Sequence, residues 1–167
     1  MRDLNPVQWA ILPFKRYFDF SGRSPRAEYW WYALFSGIAG LLLGLADVLV
    51  MGGPVFGNYG PLGLLFTAIC LVPGLAVLVR RLHDTDRTGL WSLVKLVSYG
   101  LIFAGGSPAA AMQMLQGLPT PVTIVVGLGW LAAAFAVFLF TITEGEGMPN
   151  QYGPDPYGED QLHEVFA

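Results

Sequence analysis

The sequence predicts an all-α, polytopic membrane protein with about four transmembrane helices arranged as two hairpins. Hydrophobic residues make up 54% of the chain and charged residues only 13%, against roughly 25% charged residues in an ordinary soluble domain. The charged residues also fall in blocks, because Asp, Glu, Lys and Arg are absent between Asp47 and Arg80 and again between Lys95 and Glu144. Each gap is too long for one helix and contains a Gly/Pro-rich break, so each gap predicts a helical hairpin.

The first hairpin is predicted over residues 31–50 and 62–79. The second begins near residue 90, breaks within residues 105–121, and returns over residues 122–142. Every span is long enough for a hydrocarbon core of about 30 Å. The returning segments carry no charged residue at all, which excludes a soluble bundle with charged outer faces.

The basic residues predict the orientation. All nine Lys and Arg residues lie before the first span, between the second and third spans, or just inside the third span, where Lys95 is expected to extend its ammonium back to the surface. By the positive-inside rule, both termini are cytosolic. The predicted organisation is a cytosolic N-terminal segment with an interfacial turn (1–28), a four-helix transmembrane domain (29–143) and an acidic, Gly/Pro-rich cytosolic tail (144–167).

Three residues inside the predicted spans carry expectations of their own. Asp47 lies near the outer end of the first span, where either proton or ion handling or simple access to water explains an acid. Cys70, the only cysteine, excludes an intramolecular disulfide. Pro73 frees a backbone carbonyl, which a neighbouring group or water has to satisfy.

Three cytosol-facing polar stretches carry the candidate functional residues. They precede the first span (18–31), join the second and third spans (80–91) and follow the fourth (144–158). Their candidate residues are Arg23, Arg26, Glu28, Arg80, Arg81, His83, Asp84, Arg87, Asn150 and Tyr152. The third stretch is either disordered or an ordered flap in which Asn150 and Tyr152 hydrogen-bond to the arginine-rich loop.

The central stretch fits no familiar catalytic or metal-binding pattern. Its acids imitate the start of an EF-hand, but Lys95 stands where a bidentate Glu is required, which excludes calcium. His83 has only His163 as a second imidazole and no nearby thiol, so zinc is not expected. Neither a nucleophile elbow nor a glycine-rich phosphate loop is present in the sequence. We therefore expect no cofactor, no metal and no enzymatic activity.

Recognisable residue patterns occur in all three stretches. They are Gly22-Arg23 with Arg26, Glu28 and Trp30; Arg80-Arg81-Leu82-His83-Asp84 with Arg87, Gly89 and Trp91; and Asn150 with Tyr152-Gly153-Pro154-Asp155-Pro156. In these patterns the chain resembles a bacterial family of small inner-membrane proteins, domain of unknown function 805. It departs from the family pattern at Asp86 (usually Gly), Thr88 (Ser), Leu90 (an aromatic residue) and Pro25 (Ser). The resemblance implies a multi-span protein of the bacterial inner membrane and supplies no activity.

The leading hypothesis is a non-enzymatic protein that binds lipid headgroups or a partner through these stretches. The arginines supply positive charge, Glu28, Asp84 and Asp86 serve as internal partners, and His83 is a pH-sensitive member. The partners expected are membrane lipids and, beyond them, another membrane protein or a second copy of the chain, but not nucleic acid. Two alternatives stay open: a small-solute or proton transporter, and a membrane enzyme that uses His83 and Asp84 as acid and base.

Overall fold

The computed structural model describes residues 4–52, 60–105 and 119–157, and within these ranges the chain is helical, with no β-strand. The elements are α1 (Pro6–Lys15), α2 (Arg26–Met51), α3 (Pro61–Asp84), a 3-10 turn (Gly89–Ser92), α4 (Leu93–Gly105) and α5 (Thr120–Ile142). Among the described helices, α2, α3 and α5 are long and apolar enough to cross a membrane. The predicted outer turns fall largely on residues 53–59 and 106–118, and the end of the tail on 158–167, all of which lie outside the described residues.

Helix α1 lies in the segment for which only an interfacial turn was predicted. A capping box begins it: Asn5 Oδ1 accepts from the Gln8 N–H at 2.8 Å, and Gln8 Oε1 accepts from the Asn5 N–H at 2.9 Å. The helix packs against α2, where the ring centroids of Phe14 and Tyr32 are 5.5 Å apart. The N-terminal segment is therefore fixed to the bundle before the turn that leads into α2.

Helix α2 begins at Arg26, five residues earlier than predicted, because the polar residues of its first turn have partners inside the protein. Pro25 is its N-cap residue, and Gly52 ends it with a φ of 72°. Beyond the first two turns its surface is apolar and open, with Leu41 and Leu49 73% and 76% exposed. Helix α5 is similarly apolar. Surfaces of this kind are stable against lipid.

Helix α3 is the central helix of the bundle. Ala76, Val77, Leu78 and Leu82 are completely buried, and α3 packs against α1, α2, α5 and the 3-10 turn. The carbonyl that Pro73 leaves without its helical partner belongs to Ile69. It accepts a hydrogen bond from Tyr17 Oη at 2.7 Å, so the expected neighbouring donor is present.

Asp47 joins the end of α2 to the beginning of α3. Its carboxylate is buried, and it accepts hydrogen bonds from the backbone N–H groups of Leu62 at 3.1 Å and Gly63 at 2.8 Å. These donors belong to the first turn of α3, which has no intrahelical acceptors for them and carries the positive end of the helix dipole. A Cβ atom at Gly60 would collide with the carboxylate. Access to water, one of the two expectations for Asp47, is therefore wrong, and the residue is a helix cap.

Asp47→Ala is expected to lower the free energy of unfolding by about 1–2 kcal/mol, the usual cost of losing a capping side chain. Thermal unfolding in detergent measures this change. Asp47→Asn retains an acceptor oxygen, and Asn caps helices nearly as well as Asp, so this variant should keep most of the stability. Equal losses in the two variants would contradict the capping role and point to the charge instead.

Candidate functional site: a buried ionic clasp

The three polar stretches meet at one end of the bundle, where α2 begins and α3 and α5 end. Five charged side chains in this region are each at most 5% exposed. We call them the ionic clasp: Arg23, Glu28, Arg80, Arg81 and Asp84. Charges buried this deeply require opposite charges and hydrogen bonds to be stable. The clasp supplies both, in two adjacent halves.

The first half joins Glu28 to Arg80. Glu28 Oε1 accepts from Arg80 Nη2 at 2.6 Å, and Glu28 Oε2 accepts from Ser24 Oγ at 2.8 Å. Arg80 Nη1 donates to the carbonyl of Asp19, and the Ser24 N–H donates to the carbonyl of Arg80 at 3.0 Å. Arg80 Nε is the one buried side-chain nitrogen or oxygen without a hydrogen-bond partner in the described part of the chain. This half attaches the turn before α2 to the end of α3.

The turn that presents the Asp19 carbonyl has its own ion pair. The Asp19 carboxylate accepts from Ser21 Oγ at 2.7 Å and from Arg16 Nη2 at 2.7 Å. The hydrogen bond from Ser21, with help from Arg16, lowers the pKa of Asp19 to about 2. Because the folded pKa lies below the ordinary value, this stabilisation is present above about pH 4 and is lost as the pH falls toward 2. The turn therefore keeps its ion pair at physiological pH.

The second half joins Asp84 to two arginines from different parts of the chain. Asp84 Oδ1 accepts from Arg23 Nε at 3.0 Å, and Asp84 Oδ2 accepts from Arg81 Nη1. Both carboxylate oxygens are thus bound by guanidinium groups, one from the N-terminal turn and one from α3 itself. Charge-assisted hydrogen bonds of this kind are the strongest that proteins form between side chains.

The remaining N–H groups of Arg23 and Arg81 bind backbone carbonyls at and after the end of α5. Those carbonyls belong to Thr141, Thr143, Glu146, Met148 and Gly153. The clasp contains three arginines and two acids, so one positive charge is left over, and these carbonyl oxygens offset it. A Cβ atom at Gly145 would collide with the Asp84 carboxylate, which explains a glycine at this point of the segment.

His83 attaches the third polar stretch to the end of α3. Its ring stacks on that of Tyr152, with centroids 3.8 Å apart and planes 2° from parallel. His83 Nδ1 lies 3.1 Å from the carbonyl of Gly22, and since a carbonyl only accepts, Nδ1 carries the hydrogen. Asn150 Nδ2 donates to the carbonyl of His83 at 2.9 Å. The hydrogen bond that the ordered-flap alternative expects of Asn150 is present, whereas Tyr152 contributes by stacking and not by the expected hydrogen bond.

Two of the predicted arginines lie on the rim of the clasp. Arg26 Nη2 is 2.8 Å from Glu144 Oε1, and both side chains are exposed. The guanidinium of Arg87 lies 5.0 Å from the ring centroid of Phe140, and Arg87 is exposed. Within the described residues the Arg87 side chain makes no ion pair and no hydrogen bond.

Asp86 is not the arginine partner that the sequence suggested. It is exposed, and its carboxylate accepts from Gln151 Nε2 at 2.9 Å. Its φ of 51° lies in the left-handed region, which glycine adopts freely and which Asp tolerates better than most residues. The residue that replaces the usual glycine of the family pattern is therefore compatible with a glycine-type turn.

Sequence reasoning did not identify Asp19, Ser24 or Gly145 as part of this site. Ser24 lies four residues before Glu28, a spacing that places two side chains on one face of a helical turn. Asp19 and Ser21 have the spacing of a turn in which an Asp carboxylate accepts a hydrogen bond from the backbone N–H of the residue two positions later. Gly145, between two glutamates, offers no such pattern.

A cleft of about 380 Å³ adjoins the clasp. Its charged lining residues are Arg26, Arg81, Asp84, Glu144, Glu146 and Asp155. Acids outnumber arginines there, and Arg81 is already paired, so the cleft does not favour anions. No group of three or more His, Cys, Asp and Glu side chains in the described ranges is placed to hold a metal ion.

Comparison with known proteins identifies relatives along nearly the whole chain. The sequence model of one family, described as "Protein of unknown function (DUF805)", matches residues 17–154. The chain is 30% identical over 151 residues to the inner membrane protein YhaI of Escherichia coli, covering 90% of this chain and 96% of that one. It is 29% identical over 150 residues to the inner membrane protein YhaH of the same organism, covering 90% and 97%. No solved structure matches the chain.

Proposed function

The chain belongs to the DUF805 family and, like YhaI and YhaH, is an inner-membrane protein, and from this premise we propose that it crosses the membrane four times. Trp30 Nε1 donates to the carbonyl of Thr141 at 3.1 Å, and Arg81 binds the same carbonyl. The start of α2 and the ends of α3 and α5 therefore share one side. Since α5 then begins on the opposite side, the chain has to cross once more between residues 85 and 119. The 3-10 turn and α4 together supply 17 residues, which extend about 25 Å.

The side that carries the clasp is the cytosolic one in this proposal. Apart from Lys95, the described basic residues all lie at that end, whereas the described residues at the far end of α2 and the beginning of α3 contain none. This asymmetry fits the positive-inside rule. The N-terminal segment and the segment after α5 are then both cytosolic.

The protein is non-enzymatic in this proposal, because Asp84, one of the two residues considered for acid and base chemistry, is already engaged by two arginines. Both oxygens of Asp84 accept from guanidinium groups, and the His83 ring is stacked on Tyr152 with Nδ1 directed at a carbonyl. A general base needs access to the proton that it removes. The buried, doubly paired Asp84 does not offer that access, and the Nδ1–H of His83 holds the ring against the Gly22 carbonyl.

We assign the binding function to Arg87, which binds the headgroup phosphate of anionic phospholipids in the cytosolic leaflet. One observation carries this assignment: of the five arginines in the polar stretches, Arg87 alone has no acidic partner among the described residues and is not enclosed in the clasp. Leu90 and Trp91, 71% and 37% exposed, lie close to it in sequence, and the ring centroid of Trp91 is 5.4 Å from that of Phe140. A guanidinium above an aromatic surface at the membrane interface supplies both charge and paired donors for a phosphate.

Arg87→Gln is expected to reduce the phosphatidylglycerol that stays bound in mild detergent about fivefold, since one interfacial arginine contributes about 1 kcal/mol. Native mass spectrometry of the purified protein with added phosphatidylglycerol or phosphatidylcholine measures the bound lipid. The effect should be confined to the anionic lipid.

Arg26→Gln is the matched control, because Arg26 is also exposed but is paired with Glu144. Its lipid binding should equal that of the wild type. Unchanged retention in Arg87→Gln, or equal losses in both variants, would rule out the assignment. A protein partner or a second copy on this surface would instead appear as an added protein mass that disappears in Arg87→Gln.

A further inference from the structure

A second cleft, of about 310 Å³, lies among α2, α3 and α4, away from the clasp. Helix α2 contributes a face of small residues, while α3 and α4 contribute polar and aromatic ones. The lining residues that matter for its chemistry are Ser36, Gly37, Gly40, Thr67, Lys95 and Tyr99. The cleft shares no residue with the headgroup site, so the inference drawn from it does not rest on the proposed function.

Lys95 brings a positive charge deep into this cleft. Its Nζ atom is 3.8 Å from the point that a Cβ atom would occupy if Gly74 carried one. Gly74 lies ten residues before Asp84 in α3, so it is about 15 Å along the helix from Asp84. The expectation that this ammonium extends back to the surface is thus wrong. Its neighbours are the rings of Tyr29 and Tyr99, both with centroids 5.7 Å away. Within the described residues it has no acidic partner and no hydrogen bond.

The other polar groups of the cleft are largely committed to backbone carbonyls. Ser36 Oγ and Thr67 Oγ1 donate to carbonyls of their own helices at 2.8 and 2.7 Å. Tyr32 Oη donates to the carbonyl of Cys70 at 2.8 Å. Tyr99 Oη makes no hydrogen bond with any described residue. Among the nitrogen and oxygen donors of the described lining side chains, two are therefore free, the ammonium of Lys95 and the hydroxyl of Tyr99.

We propose that this cleft binds a single-chain amphiphile with one carboxylate, such as a long-chain fatty acid. An ammonium in a membrane interior is costly without a counter-ion, and aromatic rings at this distance compensate for only part of that cost. Two donors match the two oxygens of one carboxylate, whereas a phospholipid headgroup would bring further polar groups to a depth where nothing binds them. The carboxylate pairs with Lys95 and Tyr99.

The size and lining of the cleft favour one acyl chain. Its volume is at the lower end of the roughly 300–1,000 Å³ typical of ligand pockets. Gly37 and Gly40 leave the α2 side without protruding side chains, and a Cβ atom at Gly37 would meet nothing within 4 Å. The chain of the ligand lies along this glycine face, which a larger side chain at Gly37 would block.

The test is a titration of the full-length protein in mild detergent with oleate, methyl oleate or phosphatidylglycerol, followed by native mass spectrometry. We expect one oleate per chain, and methyl oleate and phosphatidylglycerol to bind this cleft at least about tenfold more weakly, because they lack the carboxylate. Lys95→Gln should weaken oleate binding about tenfold, and Lys95→Arg should restore part of it. Tyr99→Phe should cause a smaller loss, and Gly37→Leu should abolish binding while Lys95 is intact.

Gly44→Leu is the matched control for Gly37→Leu, because it adds the same side chain to open space on the same helix but outside the cleft. It should leave oleate binding unchanged, as should Arg87→Gln, which disables only the headgroup site. Equal oleate binding by the wild type and Lys95→Gln would overturn the proposal. Three other results would also overturn it. They are binding of phosphatidylglycerol in preference to oleate that Lys95→Gln removes, equal losses of oleate binding in Gly37→Leu and Gly44→Leu, and a dimer of the chain that carries no bound oleate.

Discussion

Asp84→Asn is expected to lower the free energy of unfolding by about 3–5 kcal/mol, because it leaves two buried guanidinium groups without their carboxylate. Asp84 is 3% exposed and binds Arg23 and Arg81 through separate oxygens. The Asn side chain has the same shape, so the loss reflects charge and hydrogen bonding and not a cavity. Thermal unfolding in detergent and proteolysis of the segment after α5 should both detect it, since Arg23 also binds that segment.

Asp86→Asn removes the same charge from the same loop and is the control for this prediction. Asp86 is exposed, its carboxylate binds only Gln151 among the described residues, and its backbone conformation is one that Asn adopts readily. Its effect should stay within about 0.5 kcal/mol, as at other surface positions. If the two variants unfold at the same temperature, the ionic clasp does not stabilise the fold in the way described.

Glu28→Gln is the second change with a large expected effect, again about 3–5 kcal/mol, because Arg80 is fully buried and its carboxylate partner disappears. The double variant Glu28→Leu with Arg80→Met tests whether stability depends on pairing the two charges or on each of the two residues separately. Replacing both members of a buried pair by apolar side chains is often neutral. The double variant should therefore be more stable than Glu28→Gln, with stability measured by thermal unfolding in the same detergent.

Glu144→Gln tests whether exposed pairs matter in the same way. Glu144 is 81% exposed at the side chain, and its pair with Arg26 is open to solvent, so the change should cost no more than about 1 kcal/mol.

A double variant at Glu28 and Arg80 that is no more stable than Glu28→Gln would contradict the prediction made for that buried pair. The hydrogen bond from Arg80 to the Asp19 carbonyl would then matter more than the ion pair.

The helices long and apolar enough to cross a membrane were predictable because their cause is visible in the sequence. A long segment without charge is stable in lipid or in a protein core, so the gap between Asp47 and Arg80 located α3 and the gap between Lys95 and Glu144 located α5. Most of α2 lies in the uncharged run between Glu28 and Asp47. Charge location also predicted which polar stretches share a side. The pairing within that side was not predictable, since Glu28, Asp84 and Asp86 are all acids near arginines, and only the first two are enclosed.

The burial of Arg23, Arg80 and Arg81 was not predictable for a related reason. The expectation that these residues present positive charge to headgroups considers only their side chains and those of the neighbouring acids. Most of their additional partners are backbone carbonyls, which every residue carries and which leave no pattern in a sequence. Helix α1 was missed because its ten residues show neither a long apolar run nor a strong alternation of polar and apolar positions.

The use of carbonyls as ligands has a consequence for how the chain tolerates sequence drift. Arg23 and Arg81 hold the segment after α5 through the oxygens of residues such as Thr143, Glu146 and Met148, whose side chains take no part in those bonds. Substitutions at these positions would leave the attachment intact, whereas an insertion or deletion would displace every carbonyl after it. The stretch from Thr143 to Met148 is therefore constrained in length far more than in composition, with Gly145 as the exception, whereas Asn150 and Tyr152 further along contribute side-chain contacts.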